Sequence, residues 1–542
     1  MKYFYFVLVL FLFSACFQGE KVDLIIHKGR IHIMNDALTV VEAMAIKDGK
    51  IIEVGPERQI LNKYRADKVI DAKWKDIYPG FHDAHGHIFS LVNQRLNADL
   101  RKAASYYQMI SILEKHHAKL KQKIIIGRGW DHSLWGETKL PNNKLLNEAF
   151  PDIPVALTRV DGHAMLINQA MMDLVGITEE TTIDGGVIMA DTAGLTGILL
   201  DNALYLVNNN LPEPSKEIIK EKIIEIQEDF LSLGLTHIHE AGITERERDI
   251  LIELANENKL KINIYAMLFP TENNIAFAER EGFYRNKHLS IRSFKVVEDG
   301  ALGSHGACML QPYTDAPYEH GILLNTPTEL ANIFKMAKEL RYQVNTHCIG
   351  DSANRIVLNM IDTLMRDQKD HRWRIEHAQV IHPNDFQLFP AAGVIPSVQP
   401  THATSDQRWA EHHIGKERLE GGAYAYKTLQ ETFGLVIFGT DFPIEDYDPF
   451  ATIYAATQRK DLSGEPLNGF LPNEAVSFDV ALKAMTSWAA IGCFEENTVG
   501  TLEAGKIANL VILDNPLKNT NRFMPNYAWK TIVDGKIIFE ID

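Results

Sequence analysis

The sequence predicts an α/β protein. Its main body is a parallel, TIM-like (β/α)8 barrel, with a small β-sandwich built from both termini and a long insert after the first barrel strand. Three observations carry this. Short apolar runs alternate with amphipathic helical segments from Leu235 onward, the β-then-α order of a parallel sheet. The two ends of the chain share a hairpin character that the middle lacks. The interval 88–231 is far too long for a βα loop. At 542 residues, 46% of them hydrophobic, the chain has material for one large domain with an accessory one.

The leader comes first. Lys2, the apolar run Tyr3 to Phe13 and the small residues Ser14-Ala15 read as a secretory signal too short to span a bilayer. With Cys16 the segment resembles a bacterial lipobox, although Phe13 stands where Leu is usual. Residues 1–16 are therefore expected to be a signal peptide, and Cys16 the lipid-bearing end of an exported lipoprotein, periplasmic or in the outer membrane of a bacterium. The competing reading is an uncleaved N-terminal anchor. The other cysteines, Cys308, Cys348 and Cys493, are odd in number and dispersed, which argues against a disulfide framework. A net charge of −16 leaves no basic excess to neutralise phosphates, so neither nucleic acid nor an anionic membrane surface is an expected partner. Membrane contact is expected only through the lipid on Cys16.

Residues 22–75 carry short β segments punctuated by glycine, such as Ala43 to Ile46 with the turn Lys47-Asp48-Gly49-Lys50. Residues 497–542 repeat the pattern, and the two stretches together make the expected sandwich. The barrel is assigned to 76–496. Its strands are predicted at Asp76 to Phe81, Leu235 to His239, Ile262 to Leu268, Ser293 to Val297, Gln343 to His347, Trp373 to His377, Val394 to Val398 and Leu435 to Gly439. Helical patterns such as Thr328 to Leu340 and Asp351 to Met365 lie between them. A doubly wound open sheet is the alternative, but no glycine-rich phosphate fingerprint follows any strand. The insert, about 88–231, is read as a lid or specificity element.

Active sites of such barrels gather at the C-terminal ends of the strands. There the sequence places His85 and His87, which alternation puts on one face, then Lys295, His347, His377 and Asp441. Each is ambiguous alone: a His-x-His pair is common, and Lys295 could simply pair with Glu298 or Asp299. As an ordered set they suit one or two divalent metals. Other residues compete for roles. His239 ends a second His-x-His and is read as lining or supporting the site. Trp130, Trp409 and Tyr424 are read as packing or pocket walls. Cys348, beside His347, points to the opposite strand face.

Once these strand ends are assembled the chain resembles the amidohydrolase superfamily, in the family 3 branch that includes N-substituted formamide deformylase. The resemblance runs through Pro79-Gly80-Phe81 with Asp83-Ala84-His85-Gly86-His87, Asp161-Gly162-His163-Ala164, Glu298 to Ser304, His347 to Asp351, Glu376-His377-Ala378-Gln379, Gln399-Pro400-Thr401-His402 and Gly500 to Lys506. His82 departs from it, standing where an aliphatic residue is usual. The resemblance implies that His85 and His87 hold the more buried metal with Asp441. It further implies that a carbamylated Lys295 bridges two metals and that His347 and His377 hold the second. Zinc is the preferred ion, with iron and manganese admitted by the same ligands.

The expected chemistry is hydrolysis of a C–N bond in a small-molecule amide, N-acyl or N-formyl, by a metal-activated water, with Asp441 as the catalytic acid and base. Asp441 as a ligand without a proton role is the alternative. His163 and His402, in matched motifs, are candidates to touch substrate, together with His239 and Trp130. Deamination or opening of a cyclic amide would use the same centre. A catalytically silent solute-binding lipoprotein is the reading from another class. A homodimer is one assembly open to the chain.

Overall fold

The computed structural model describes residues 19–135, 140–160, 162–211, 213–368 and 370–541. The leader, Cys16 and Asp161 lie outside the described residues. No described helix is long and apolar enough to cross a membrane. The chain divides into two compact units. One comprises the described residues up to Gly86 with Gln227–Asp441 and Glu445 onward; the other is His87–Ile226 with Phe442–Ile444.

The first unit contains the barrel. Its eight parallel strands are β1 (Phe81–Gly86), β2 (Leu235–Ile243), β3 (Asn263–Leu268), β4 (Leu289–Val297), β5 (Gln343–Cys348), β6 (Arg374–His377), β7 (Ile395–Val398) and β8 (Ile437–Phe438), hydrogen-bonded in that order. Most of their residues are buried, the condition of strands covered on both faces. The circle closes between first and last strands, where Asp441 N–H donates to His85 O at 2.7 Å. Asp83 locks the same seam by accepting from Thr440 Oγ1 at 2.6 Å and from the N–H groups of Thr440 and His85. Gly439 permits the approach: a Cβ there would stand 2.3 Å from His85 N. Reciprocal Thr–Glu caps begin helices Glu245–Asn256 and Pro327–Leu340, the first directly after the strand that ends at Ile243.

The first strand begins later than its apolar pattern predicts. Asp76–Pro79 is not a barrel strand: Ile77 is in register with Ile31 and Ile512 in a six-stranded sheet made from both ends of the chain. The switch falls at Gly80, whose N–H donates to Asn509 O, while Phe81 N–H donates to Gly234 O and starts the barrel. A Cβ at Gly80 would lie 2.1 Å from Thr236 Oγ1, so only glycine lets the chain change sheets there. The run Ile77 to Phe81 is buried on either side of the switch, and so carries no periodicity to reveal it. Facing the six-stranded sheet is a four-stranded one built from Glu20–His27, Ala43–Lys47, Lys50–Gly55 and Tyr64–Asp71. Leu24, Ile46 and Ile70 from one and Ile31, Ile512 and Ile532 from the other share a core.

The second unit has a six-stranded sheet of its own. Ala98–Asp99, Ile125–Trp130 and Val155–Arg159 run parallel, and Ala164–Ile167, Gly194–Asp201 and Gly186–Asp191 extend the sheet antiparallel. Two apolar clusters, one around Trp130 and Leu157 and one around Met171 and Leu199, give it an interior.

Candidate metal centre

The register of the barrel decides which side chains meet. Val297 is level with His347, and Cys348 with His377, so the C-terminal ends of β4, β5 and β6 lie side by side. The seam between β1 and β8 adds His85 and Asp441. One ligand atom each from His85, His377 and Asp441 falls within 4.8 Å of the others, and all three residues are buried. The His347 and His377 rings are 4.4 Å apart, and the His85 and His377 rings 4.9 Å. Both His377 (φ 77°) and Asp441 (φ 61°) hold positive φ, a strained backbone for residues with a Cβ and one that clusters at functional sites.

His85 is aimed by a buried pair. Its Nδ1 lies 2.5 Å from Glu376 Oε2, which also accepts from Ser397 Oγ at 2.7 Å. Arg374 holds the other carboxylate oxygen through Nε at 2.7 Å and donates to Ala84 O and His239 Nδ1. Burial alone would raise the Glu376 carboxyl, but Arg374, His85 and Lys295 outweigh it and hold the group down at about 2. It is therefore an acceptor, the Nδ1 proton of His85 belongs to that bond, and the Nε2 lone pair faces Lys295 Nζ at 3.2 Å and Asp441 Oδ1 at 3.4 Å. A carboxylate behind an imidazole in this way fixes the tautomer that binds a cation.

Burial, then the Lys295 cation, lowers His85 to about 4. The same two causes in the same order take His347 to about 3, and burial drives His377 well down. The imidazoles are neutral, with lone pairs available. Burial likewise pulls the Lys295 amine below its ordinary value. The carboxylates that act on Lys295 are those of Glu376 and Asp441, while Glu298 accepts from Asn325 and Asp299 from the N–H groups of Cys308, Ile349 and Gly350.

The donor set fits a metal on this structure's own terms. His347 Nε2 and His377 Nδ1 are buried without a hydrogen-bond partner, a costly state that a cation would relieve. Two imidazoles and a carboxylate, with a third imidazole and an amine beside them, suit zinc and its neighbours.

His402, on helix Pro400–Asp406, comes beside the centre, with Nε2 3.7 Å from Asp441 Oδ2 and its ring 5.8 Å from that of His377. His239 bonds Arg374 from within the barrel. His87 precedes helix Ile88–Leu96 and begins the second unit. His163 is 76% exposed in that unit, 3.0 Å from Asp201. Trp130 is fully buried there, its Nε1 donating to Leu157 O. Sequence reasoning gave no role to Arg374, Glu376, Ser397 or Asp83. The available signal was charge: an arginine and a glutamate inside a four-residue buried strand must answer each other.

Known proteins resemble this chain over nearly all of its length. The profile described as Amidohydrolase family matches residues 68–539. Protein LONG AFTER FAR-RED 3 of Arabidopsis thaliana is 28% identical, over 96% of this chain and 92% of its own. N-substituted formamide deformylase of Arthrobacter pascens is 24% identical, over 96% and 98%. Among solved structures, an uncharacterized metal-dependent hydrolase from Pyrococcus horikoshii superposes with a TM-score of 0.78 at 29% identity, covering 92% of this chain and 99% of its own.

Proposed function

This chain belongs to the amidohydrolase family and is a hydrolase, and we propose that it cleaves the C–N bond of a small N-acyl or N-formyl amine. The observation that carries the proposal is the convergence of His85, His377 and Asp441, with the His85 tautomer fixed by Glu376. In this reading His85, His377 and Asp441 hold a divalent ion, zinc by preference, with His347 and Lys295 beside them for a second. Such an ion supplies Lewis acidity to a carbonyl and makes water acidic near neutral pH. The choice of bond draws on the Arthrobacter relative's name.

The chain's own residues do the rest. Asp441 accepts the proton of the attacking water and returns it to the leaving nitrogen, one carboxylate serving as base and then acid. His402 bonds the oxygen that gains charge during attack, a role supported by its buried Nε2, which has no hydrogen-bond partner and lies near Asp441. Lys295, with its amine pulled down by burial, can add carbon dioxide: an N–C bond forms, the nitrogen's proton leaves to solvent, and the anionic carbamate would help hold metal beside His347. His87 retains its sequence-based ligand assignment.

Metal-loaded protein should be assayed against N-acyl, N-formyl and cyclic amides, with His347→Ala as the blank. Turnover of an N-acyl or N-formyl substrate that vanishes in the blank supports the proposal, and equal turnover in both overturns it. Asp441→Asn should lower kcat by about 10²–10⁴-fold. Unimpaired turnover with metal retained would remove the catalytic role of Asp441. The leader belongs to the same proposal as an export signal with lipid on Cys16. Mass measurement of the mature N-terminus should find diacylglycerol there, and a mature chain still beginning at Met1 would refute it.

A further inference from the structure

Three residues from the centre just described, His82 opens a second cluster in the interior of the first unit. His82 comes from β1, His239 from β2, and Cys493 from the residue that ends helix Ser487–Gly492. One nitrogen of each histidine and the Cys493 sulfur lie within 4.8 Å of one another, and none of the three residues is more than 1% exposed. Hydrogen bonding does not account for them. Both His82 nitrogens and His239 Nε2 are buried without a partner, and Cys493 Sγ meets only Ala490 O, at 3.4 Å. A neutral imidazole has one donor and one acceptor, so His82 leaves two polar groups unsatisfied inside the barrel.

The surroundings hold these rings in place. His237 stacks flat on His82, with centroids 4.0 Å apart and planes 2° from parallel, and its own Nδ1 lies 2.8 Å from Thr236 Oγ1. Two imidazoles so close in a dry interior cannot both carry charge, which leaves neutral nitrogens facing a thiol.

We infer that His82, His239 and Cys493 form a second, structural site for a thiophilic divalent cation, zinc being the expected ion. Histidine nitrogen and cysteine thiolate are donors from which sites for that ion are built, and the orphaned nitrogens and the sulfur become ligands. Charge and protons balance. Arg374 Nη1 donates to His239 Nδ1, so the neutral ring carries its proton on Nε2. Binding releases that proton and the Cys493 thiol proton. The resulting thiolate and imidazolate neutralise the dication, and the imidazolate stays hydrogen-bonded to the Arg374 guanidinium. The ion ties β1 and β2 to the segment after the last barrel helix. The assignment is independent of the reaction proposed above.

Cobalt substitution of the intact protein tests this. Wild type loaded with Co(II) should show a thiolate-to-cobalt charge-transfer band. The band should be lost in Cys493→Ala and His82→Leu and retained in Asp441→Asn. Zinc content after exhaustive dialysis should be one ion per chain lower in Cys493→Ala than in wild type. Absence of the band in the wild type overturns the inference without any variant having to fold. So does a band or a zinc content unchanged in Cys493→Ala.

Discussion

Glu376 shows how much of a metal centre resides in a residue that need not touch the metal. Its carboxylate receives the His85 proton on one oxygen and the Arg374 guanidinium on the other. Glu376→Gln keeps the shape but loses the charge that fixes the His85 tautomer. Metal affinity, measured by competition with a chromophoric chelator, should fall about 10–100-fold, the usual cost of removing such a support. An unchanged affinity would mean that His85 is oriented by packing alone. At this scale the sequence was partly legible. His85, His347, His377 and Asp441 each close an apolar run, so position exposes them. Glu376 and Arg374 sit inside such a run, and the partner that explains Glu376 is 291 residues away. No local spacing encodes that contact.

Elements were more legible than their boundaries. Buried parallel strands read as apolar runs, and the helices between them announce themselves through caps, which is why seven of the eight strands lie at or near their predicted positions. The exception is the first, where one continuous buried run serves two sheets. The seam between β1 and β8 is the mechanically critical element. Gly439→Ala pushes a methyl into the His85 backbone, and the lost stability should be about 1–3 kcal/mol or more, the cost of overpacking a filled interior. Differential scanning calorimetry would show a lower Tm, and an unchanged Tm would mean the seam can open at little cost. The terminal sheet gives a pH test. Asp76, 4% exposed, bonds Arg30 and His32. Burial would raise its carboxyl, but His32 and Arg30 prevail and hold it below the usual range. A lowered folded pKa contributes stability that is present above the unfolded value of about 3.9 and lost as pH falls through the folded one. Wild type should therefore lose stability to acid more steeply than Asp76→Asn below about pH 4. Parallel acid-unfolding curves would contradict the assignment.

At the scale of the molecule, the repeated β-then-α order indicated a barrel, and the length and the β-rich ends an accessory domain. The internal sheet of the insert was not foreseen, because its motifs were weighed for chemistry and its strands are short. The terminal sheet depends on both ends at once, since Leu510–Leu513 pairs with Asp76–Pro79. Truncation after Ala508 removes Leu510, Ile512 and Ile532 from a shared core, each worth about 1.5–3 kcal/mol of burial. The truncated chain should be recovered unfolded or insoluble, and a soluble product with native circular dichroism would show that the barrel stands without that sheet. The clasp between Asp83 and Thr440 joins residues 357 positions apart. A ribosome adding about 5–20 residues per second takes roughly 20–70 s to make that interval. Throughout it, His85 has been synthesised and Asp441 has not, so no growing chain can present the assembled set of ligands. Choice of metal is thereby deferred to the finished polypeptide, and is made from the ions of whichever compartment it folds in.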